Sequence, residues 1–260
     1  MMDVFQHYAG YYDLFYQSKS YDIEGDYVSR LLKKFHGNPR SILELGCGTG
    51  RHAEQLAGHG YRVHGVDLSP EMIRQAQARV AVLPRDLQDR LSFSLGDARD
   101  IRTGATYDAV ISLFHVVSYQ NRNHDVAAMF ATASGHLRGG AEGGIFLFDC
   151  WYGPAVLSDP PHVRTKRMSD DKIDVVRIAE PVMHPNDNLV DVNYTVLITD
   201  RAQKTMEEIN EKHTMRYFFR PELELMLNQA GFELLTAQEW LSDRPLDFST
   251  WSGTFVAQKK

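Results

Sequence analysis

Three glycines, Gly46, Gly48 and Gly50, fall within five positions of the stretch "ILELGCGTGRHAEQLAGHGYRVHGVDLSPEMI", which runs from Ile42 to Ile73. An apolar run precedes them and a helix-like run follows. The backbone there must turn sharply and let a ligand come close to the main chain. Asp67 ends the next apolar run, seventeen positions after Gly50, where a carboxylate can accept from two hydroxyls of a ribose. Asp97 ends a third run, "LSFSLGD", where a carboxylate can accept from the amino group of an adenine. The three run ends together describe an adenosine laid across them. In a dinucleotide site the spacing is G-x-G-x-x-G, with a pyrophosphate on the helix N-terminus. Here it is Gly46-x-Gly48-x-Gly50, preceded by Glu44, an acid badly placed for pyrophosphate and well placed for an ammonium or sulfonium. Simpler roles compete for the single residues. Gly50 can serve close helix–sheet packing, and Asp97 can cap the turn that follows it. Cys47 reads as a small, inert loop residue, with no base or cation assignable to it.

The elements that must position these residues alternate along the first half of the chain. Short apolar strands over residues 40–46, 61–67, 91–97, 107–114 and 143–150 are separated by helical runs. One of these starts with Ser69 as N-cap and Pro70 at the first helical position, both suited to that end. Such alternation predicts a parallel sheet covered on both faces. After Cys150 the pattern becomes long apolar–polar alternation broken by turn clusters such as "HPNDN", which suits antiparallel strands with one wet face. The division that follows is an N-terminal helical cover (1–39), a ligand-binding core (40–150), an inserted antiparallel sheet (151–218) and a closing helix with two strands (219–260).

The chain has 260 residues and a net charge of −6, with no broad basic footprint for nucleic acid. Its two cysteines make a disulfide framework improbable and point to a reducing, cytoplasmic home. No apolar run reaches membrane-spanning length and no signal peptide is indicated. His52, His59 and His64 show no metal-ligand grouping and read as structural or exposed.

The acidic-x-Gly-x-Gly-x-Gly loop, the acid ending the second strand and the "GDA" ending the third resemble those of class I S-adenosylmethionine-dependent methyltransferases. The Asn/Asp-Pro-Pro-aromatic stretch of adenine amino methylation is replaced by "SLFHVVSYQ". "YDLFYQSKSYD", "SLFHVVSY", "FDCWY" and "EKHTMRYF" look like the corresponding stretches of amino-sugar N,N-dimethyltransferases that act on nucleotide-linked sugars. The resemblance implies an α/β, Rossmann-like class I methyltransferase fold, with a seven-stranded mostly parallel sheet, its last strand antiparallel, plus an inserted antiparallel β-meander. It implies S-adenosyl-L-methionine held by Glu44, Gly46, Cys47, Gly48 and Gly50 after the first strand. Asp67, Leu68 and Met72 follow at the second strand, Asp97 and Ala98 at the third and Leu113 at the fourth. Tyr16 would cover the sulfonium and Tyr119 would face the accepting amine. The family's acidic-Pro-Trp-Trp stretch is here "DCWY", and its Arg near the sugar is replaced around Trp251 and Ser252.

Methyl transfer to an amine needs a lone pair in line with the S–CH₃ bond, so the protein's chief contribution is position. An ordinary tyrosine hydroxyl is a poor base near neutrality, so Tyr119 would orient the amine. His115, four residues earlier, would take a proton more readily. Trp151, Tyr152, His213 and Arg216 are the expected acceptor-binding residues. His213 and Arg216 lie three apart on a strand, so they should face opposite ways. The expected reaction is methylation of a small-molecule acceptor, most readily the amino group of a nucleotide-linked sugar. The alternatives are a small-amine or O-methyltransferase and a non-catalytic S-adenosylmethionine-binding module. The inserted sheet would wall the acceptor site or, as its alternative, form a homodimer contact.

Overall fold

The computed structural model describes residues 19–139 and 143–260. Two hydrophobic clusters sandwich one twisted sheet, and the alternation of each strand decides which cluster a residue joins. In β1 (Ser41–Leu45) Ile42 points to one face while Leu43 and Leu45 point to the other. In β5 (Ile145–Tyr152) Ile145 and Leu147 oppose Phe146 and Phe148 in the same way. Helices α1 (Tyr21–His36) and α2 (Arg51–Gly58) place Val28, Leu31, Leu32 and Leu56 on the first face. On the second face, the helix α5 (Asn123–His136) supplies Met129 and Phe130. Between them in sequence lie β2 (Arg62–Asp67), α3 (Pro70–Ala81), the short α4 (Arg85–Gln88), β3 (Leu91–Leu95) and β4 (Ala109–Ser112). As expected, Ser69 caps α3, its hydroxyl accepting from the Met72 amide at 3.3 Å.

Strands β3, β2, β1, β4 and β5 pair in parallel in that order. The chain closes with α7 (Arg220–Gln229), β10 (Phe232–Glu239) and β11 (Ser252–Lys259). β11 runs antiparallel between β5 and β10, which completes the seven-stranded core sheet. The strand order reverses between β1 and β4, so the crevice beyond their carboxyl ends is where a ligand of this sheet type belongs.

The strand expected to stop at Cys150 continues to Tyr152, because Trp151 and Tyr152 have partners on both sides. Trp151 pairs with Ser252 of β11, and Trp151 and Tyr152 pair with Tyr217 and Phe218. A short helix absent from the sequence reading, α6 (Gly153–Ser158), turns the chain away. It leads into an antiparallel meander of β6 (Arg164–Ser169), β7 (Ile173–His184), β8 (Leu189–Asp200) and β9 (Met206–Phe218). β9 returns to the end of β5, so the meander extends the core sheet from the site end.

Helix α1 lies within the span expected to cover the cofactor, and it packs on the core sheet. Tyr27 donates to Thr254 Oγ1 at 3.3 Å and accepts from Gln238 Nε2 at 3.0 Å, pinning α1 to β10 and β11. Tyr16 lies outside the described residues. No helix among the described residues is long and apolar enough to cross a membrane.

Asp108, just before β4, accepts from the amides of Arg40 and Ser41 and from the Ser41 hydroxyl, each at 2.9 Å. Burial pushes its carboxyl pKa up, but these donors and Arg138 outweigh that and hold it below the usual range. We expect Asp108→Asn to destabilise the fold by about 1.5–3 kcal/mol, the range for hydrogen bonds to a charged group. Because the folded pKa is depressed, this contribution is complete above the unfolded carboxylate pKa and lost as pH falls through the lowered one. Urea unfolding of both proteins from neutral to acid pH should therefore show the two stabilities converging as the pH drops.

Candidate active site

A cavity of about 260 Å³ opens at the carboxyl ends of β1, β2 and β4. The glycines beside it divide two tasks between them. A Cβ on Gly50, whose φ is +77°, would sit 2.8 Å from the Phe93 ring and 3.2 Å from Ala76. Gly50 therefore serves helix–sheet packing and does not line the cavity, contrary to the expected cofactor contact. Gly48 has a φ of +53°, and nothing among the described residues lies within 4 Å of a Cβ there. Its open side faces the cavity, so this is where a ligand approaches the backbone. Gly46 and Cys47 also line it, and burial raises the Cys47 thiol pKa well above its ordinary value, which makes it inert as a nucleophile.

The Asp67 carboxylate is held by the amides of Gly48 at 2.8 Å and Ser69 at 2.9 Å, one on each oxygen. Each oxygen keeps a lone pair for a ligand hydroxyl. Leu68, Met72, Ala98 and Leu113 line the cavity as expected, as does Asp97. Both Asp97 oxygens are taken up by Arg99, with Nη2 2.6 Å from Oδ2 and Nε 3.0 Å from Oδ1. Arg99 bonds Asp125 as well, at 2.7 Å. Asp97 thus fixes Arg99 at the cavity wall while capping its own turn through the Arg99 amide.

Glu44 does not reach the cavity surface. It is enclosed at the end of β1, and its Oε2 has no hydrogen-bond partner among the described residues. Burial, then the neighbouring Asp67 charge, push its pKa up to about 8, with Lys19 opposing. His52, read from sequence as structural or exposed, is buried and lines the cavity. Its Nε2 lies 2.6 Å from Glu24 Oε2, and Lys19 lies 2.9 Å from the same oxygen. Burial lowers the His52 pKa, so this imidazole is neutral near pH 7. Four carboxylates, those of Glu24, Glu44, Asp67 and Asp149, thus gather here around Lys19, His52 and His115. That donor set, with an orphaned buried oxygen and an open glycine, fits a ligand that brings ribose hydroxyls and positive charge.

At the other end of the cavity, Phe114 and His115 both have left-handed backbones, with φ of 63° and 64°. Two successive non-glycine residues in that region are strained unless held. Asp149, at the end of β5, holds them. Its carboxylate accepts from the His115 amide at 3.2 Å and lies 2.7 Å from His115 Nδ1. Burial would raise the Asp149 pKa, but His115 more than offsets this and keeps it ionised.

Tyr119 and His213 also line this end, with the Tyr119 hydroxyl 2.8 Å from His213 Nδ1. The far nitrogen, Nε2, lies 3.3 Å from the buried carboxylate of Glu211. Trp151 and Tyr194 complete the wall. Tyr152 and Arg216, expected beside them, are not among the lining residues. Tyr152 packs against the core cluster that holds Phe148 and Phe218. Arg216 lies on the opposite face of β9 from His213, over the Phe218 ring and 3.8 Å from Glu222. Arg99, Glu211 and Tyr194 were not singled out in the sequence; Arg99 and Tyr194 also act through distant partners, Asp125 and Arg177, whereas Glu211 is only two residues from His213.

The Rossmann-like sheet, with its glycine loop and strand-end acids, and the similarities that follow make the protein an S-adenosylmethionine-dependent methyltransferase. Residues 42–140 match the family model described as a methyltransferase domain. The chain is similar to the dTDP-3-amino-3,4,6-trideoxy-alpha-D-glucopyranose N,N-dimethyltransferase of Streptomyces venezuelae, 27% identical over 229 residues, which are 87% of this chain and 90% of that protein. Its fold is similar to that of an S-adenosylmethionine-dependent methyltransferase from Clostridium acetobutylicum, with a TM-score of 0.80, 20% identity and 98% of each chain covered. It is also similar to SAM-bound CalS10, an amino pentose methyltransferase from Micromonospora echinaspora, with a TM-score of 0.75, 26% identity and coverage of 98% and 97%.

Two measurements probe the cofactor end. Asp67→Ala should weaken S-adenosylhomocysteine binding by about 10- to 100-fold, the range for losing a charge-assisted hydrogen bond. Its melting temperature should change little, because removing the carboxylate also removes a burial penalty. A melting temperature that falls steeply with affinity unchanged would overturn this role.

Glu44, with a pKa of about 8, is mostly protonated at pH 7, and a cationic ligand nearby draws that proton off. Calorimetric titration of S-adenosylmethionine at pH 7, in buffers of different ionisation enthalpy, should show net proton release on binding. The release should fade above pH 8 and vanish in Glu44→Gln. Identical heats in all buffers would refute it.

Proposed function

We propose that the enzyme transfers a methyl group to the amino nitrogen of a nucleotide-linked amino sugar. The observation that carries this reading is the chain of contacts Tyr119–His213–Glu211 at the acceptor end of the cavity. The similarity to a sugar N,N-dimethyltransferase supports it. A match over 87% of the chain must run well into the meander that supplies His213, Glu211 and Tyr194.

When bound, S-adenosylmethionine supplies the electrophilic methyl on its sulfonium; the residues of the chain do the rest. The cavity walls hold the nitrogen in line and keep water out, an effect worth about 7–11 kcal/mol when orientation is good. An amino sugar arrives largely as its ammonium, which has no lone pair, so a proton must leave. Glu211 beside Nε2 favours the tautomer with hydrogen on Nε2, leaving Nδ1 to accept from the Tyr119 hydroxyl. The Tyr119 oxygen can then accept from the amine and pass a proton to His213, whose imidazolium Glu211 stabilises. His115, held against Asp149, faces the same cavity.

The direct experiment supplies labelled S-adenosylmethionine with a dTDP-linked 3-amino-3,6-dideoxyhexose, and compares it with glycine and with a phenol. Methyl incorporation into the sugar nitrogen alone is the expected outcome; preference for glycine or the phenol would overturn the reading. His213→Asn should lower kcat by about 100-fold at neutral pH, the lower end of general acid–base contributions. S-adenosylhomocysteine affinity should stay the same. The deficit should shrink as pH rises and the amine loses its proton unaided. A deficit equal at every pH would mean that His213 only holds the wall in place. Arg216→Gln should leave the acceptor's KM unchanged.

A further inference from the structure

One face of the meander carries more than the acceptor wall. Strand alternation puts Arg164 and Lys166 of β6 and Arg177 of β7 on the face that also presents Tyr194 and His213. Lys166 stands directly opposite Arg177, and Arg164 opposite Ala179, whose next partner is Tyr194. With His162, Trp151 and Trp251 these side chains line a second cavity of about 490 Å³. Among the described residues lining it there is no Asp or Glu, although the chain as a whole has a net charge of −6. Like charges paired across a ladder oppose one another. Burial and then Arg177 lower the Lys166 pKa, which is the effect of a cation packed beside another. The Arg177 guanidinium lies over the Tyr194 ring at 4.8 Å, which fixes its orientation. Lysine on an edge strand also discourages edge-to-edge pairing, but Arg177 sits on an inner strand of the meander where no such guard is needed. Trp151 and Tyr194 belong to both cavities, so the basic one begins where the acceptor end of the other stops.

We propose that this basic cavity binds the diphosphate of the nucleotide-linked substrate, with Arg164, Lys166 and Arg177 holding the phosphate oxygens. Guanidinium groups take phosphate bidentately and ammonium groups take it as point charges. The sugar then spans the short distance to Tyr119, and its amine arrives with the anionic end anchored behind it. The inference rests on the amino-sugar reading for what the diphosphate is attached to, and on the cation cluster for the site itself.

The test uses the full chain saturated with S-adenosylhomocysteine, titrated calorimetrically with thymidine diphosphate and with thymidine. Thymidine diphosphate should bind at least tenfold more tightly than thymidine, and its affinity should fall as salt is raised. The double substitution R164Q/K166Q lies on an exposed strand, so the fold should survive it. It should weaken thymidine diphosphate at least tenfold and leave S-adenosylhomocysteine affinity unchanged. Thymidine binding as well as its diphosphate, or a double variant that binds the diphosphate normally, would overturn the proposal. The outcomes also separate the two readings. Methylation of an amino sugar without any diphosphate binding refutes only the groove. Diphosphate binding lost in R164Q/K166Q, with no amino sugar methylated, refutes only the acceptor assignment.

Discussion

An excess of buried carboxylate at the carboxyl ends of the strands is the constraint around which the site is arranged. Glu44 ends β1, Asp67 ends β2 and Asp149 stands near the end of β5, all enclosed or nearly so. Acids so placed repel one another and resist ionisation unless hydrogen bonds or cations compensate. Each is compensated differently. Asp67 has two loop amides, and Asp149 has His115 with its amide. Glu44 has least and holds its proton up to about pH 8. A cation bound nearby would favour the ionised form of Glu44, so this uncompensated acid biases the site toward positively charged ligands.

Asp149 links this constraint to the rest of the molecule. It holds the left-handed Phe114–His115 turn on one side and accepts from Ser252 of β11 at 3.3 Å on another. Two residues further on, Trp151 starts the pairing with β9 that hands the sheet over to the meander. A few positions of β5 therefore position the Phe114–His115 turn and the wall that carries His213. The meander reaches back over the cofactor end too, where Met72 of α3 packs against Val175 and Val196. Because it touches both ends of the cavity, it fixes the cavity's length.

Local chemistry made much of this legible before the structure. The strand ends, the Ser69 cap and the acidic residues are each determined within a few positions, so spacing alone found them. Parity was readable as well, since His213 and Arg216 do face opposite ways. Its sign was not, because only the register with Val192 and Leu189 on β8 decides which of the two faces inward. Tyr152 failed for the same reason. For Gly50 the sequence left both a cofactor contact and helix–sheet packing open, and what decides for packing is Phe93, from a strand that begins forty-one residues later, at Leu91. Asp149 stands in the "DCWY" stretch, but it acts on His115, thirty-four residues away, and only the folded chain brings that pair together; Glu211 is two residues from His213 on one face of β9, a spacing the sequence already held.

The amino-sugar reading and the basic cavity together give the site an electrostatic direction. Carboxylates dominate where positive charge must sit, and guanidinium and ammonium groups dominate on the β6–β7 wall. A substrate with an amine at one end and a diphosphate at the other is dipolar in the same sense. Reversed, it would bring phosphate toward the end of the cavity backed by Asp149 and Glu211, behind His115 and His213, and ammonium beside Arg177, both unfavourable in a partly desolvated site. Such repulsion rejects the wrong orientation before any fine fit is tested. It also gives a reason for the meander to be grafted at the end of β5: the core sheet's acids can supply only one pole, and the second must come from an element that begins beside the acceptor.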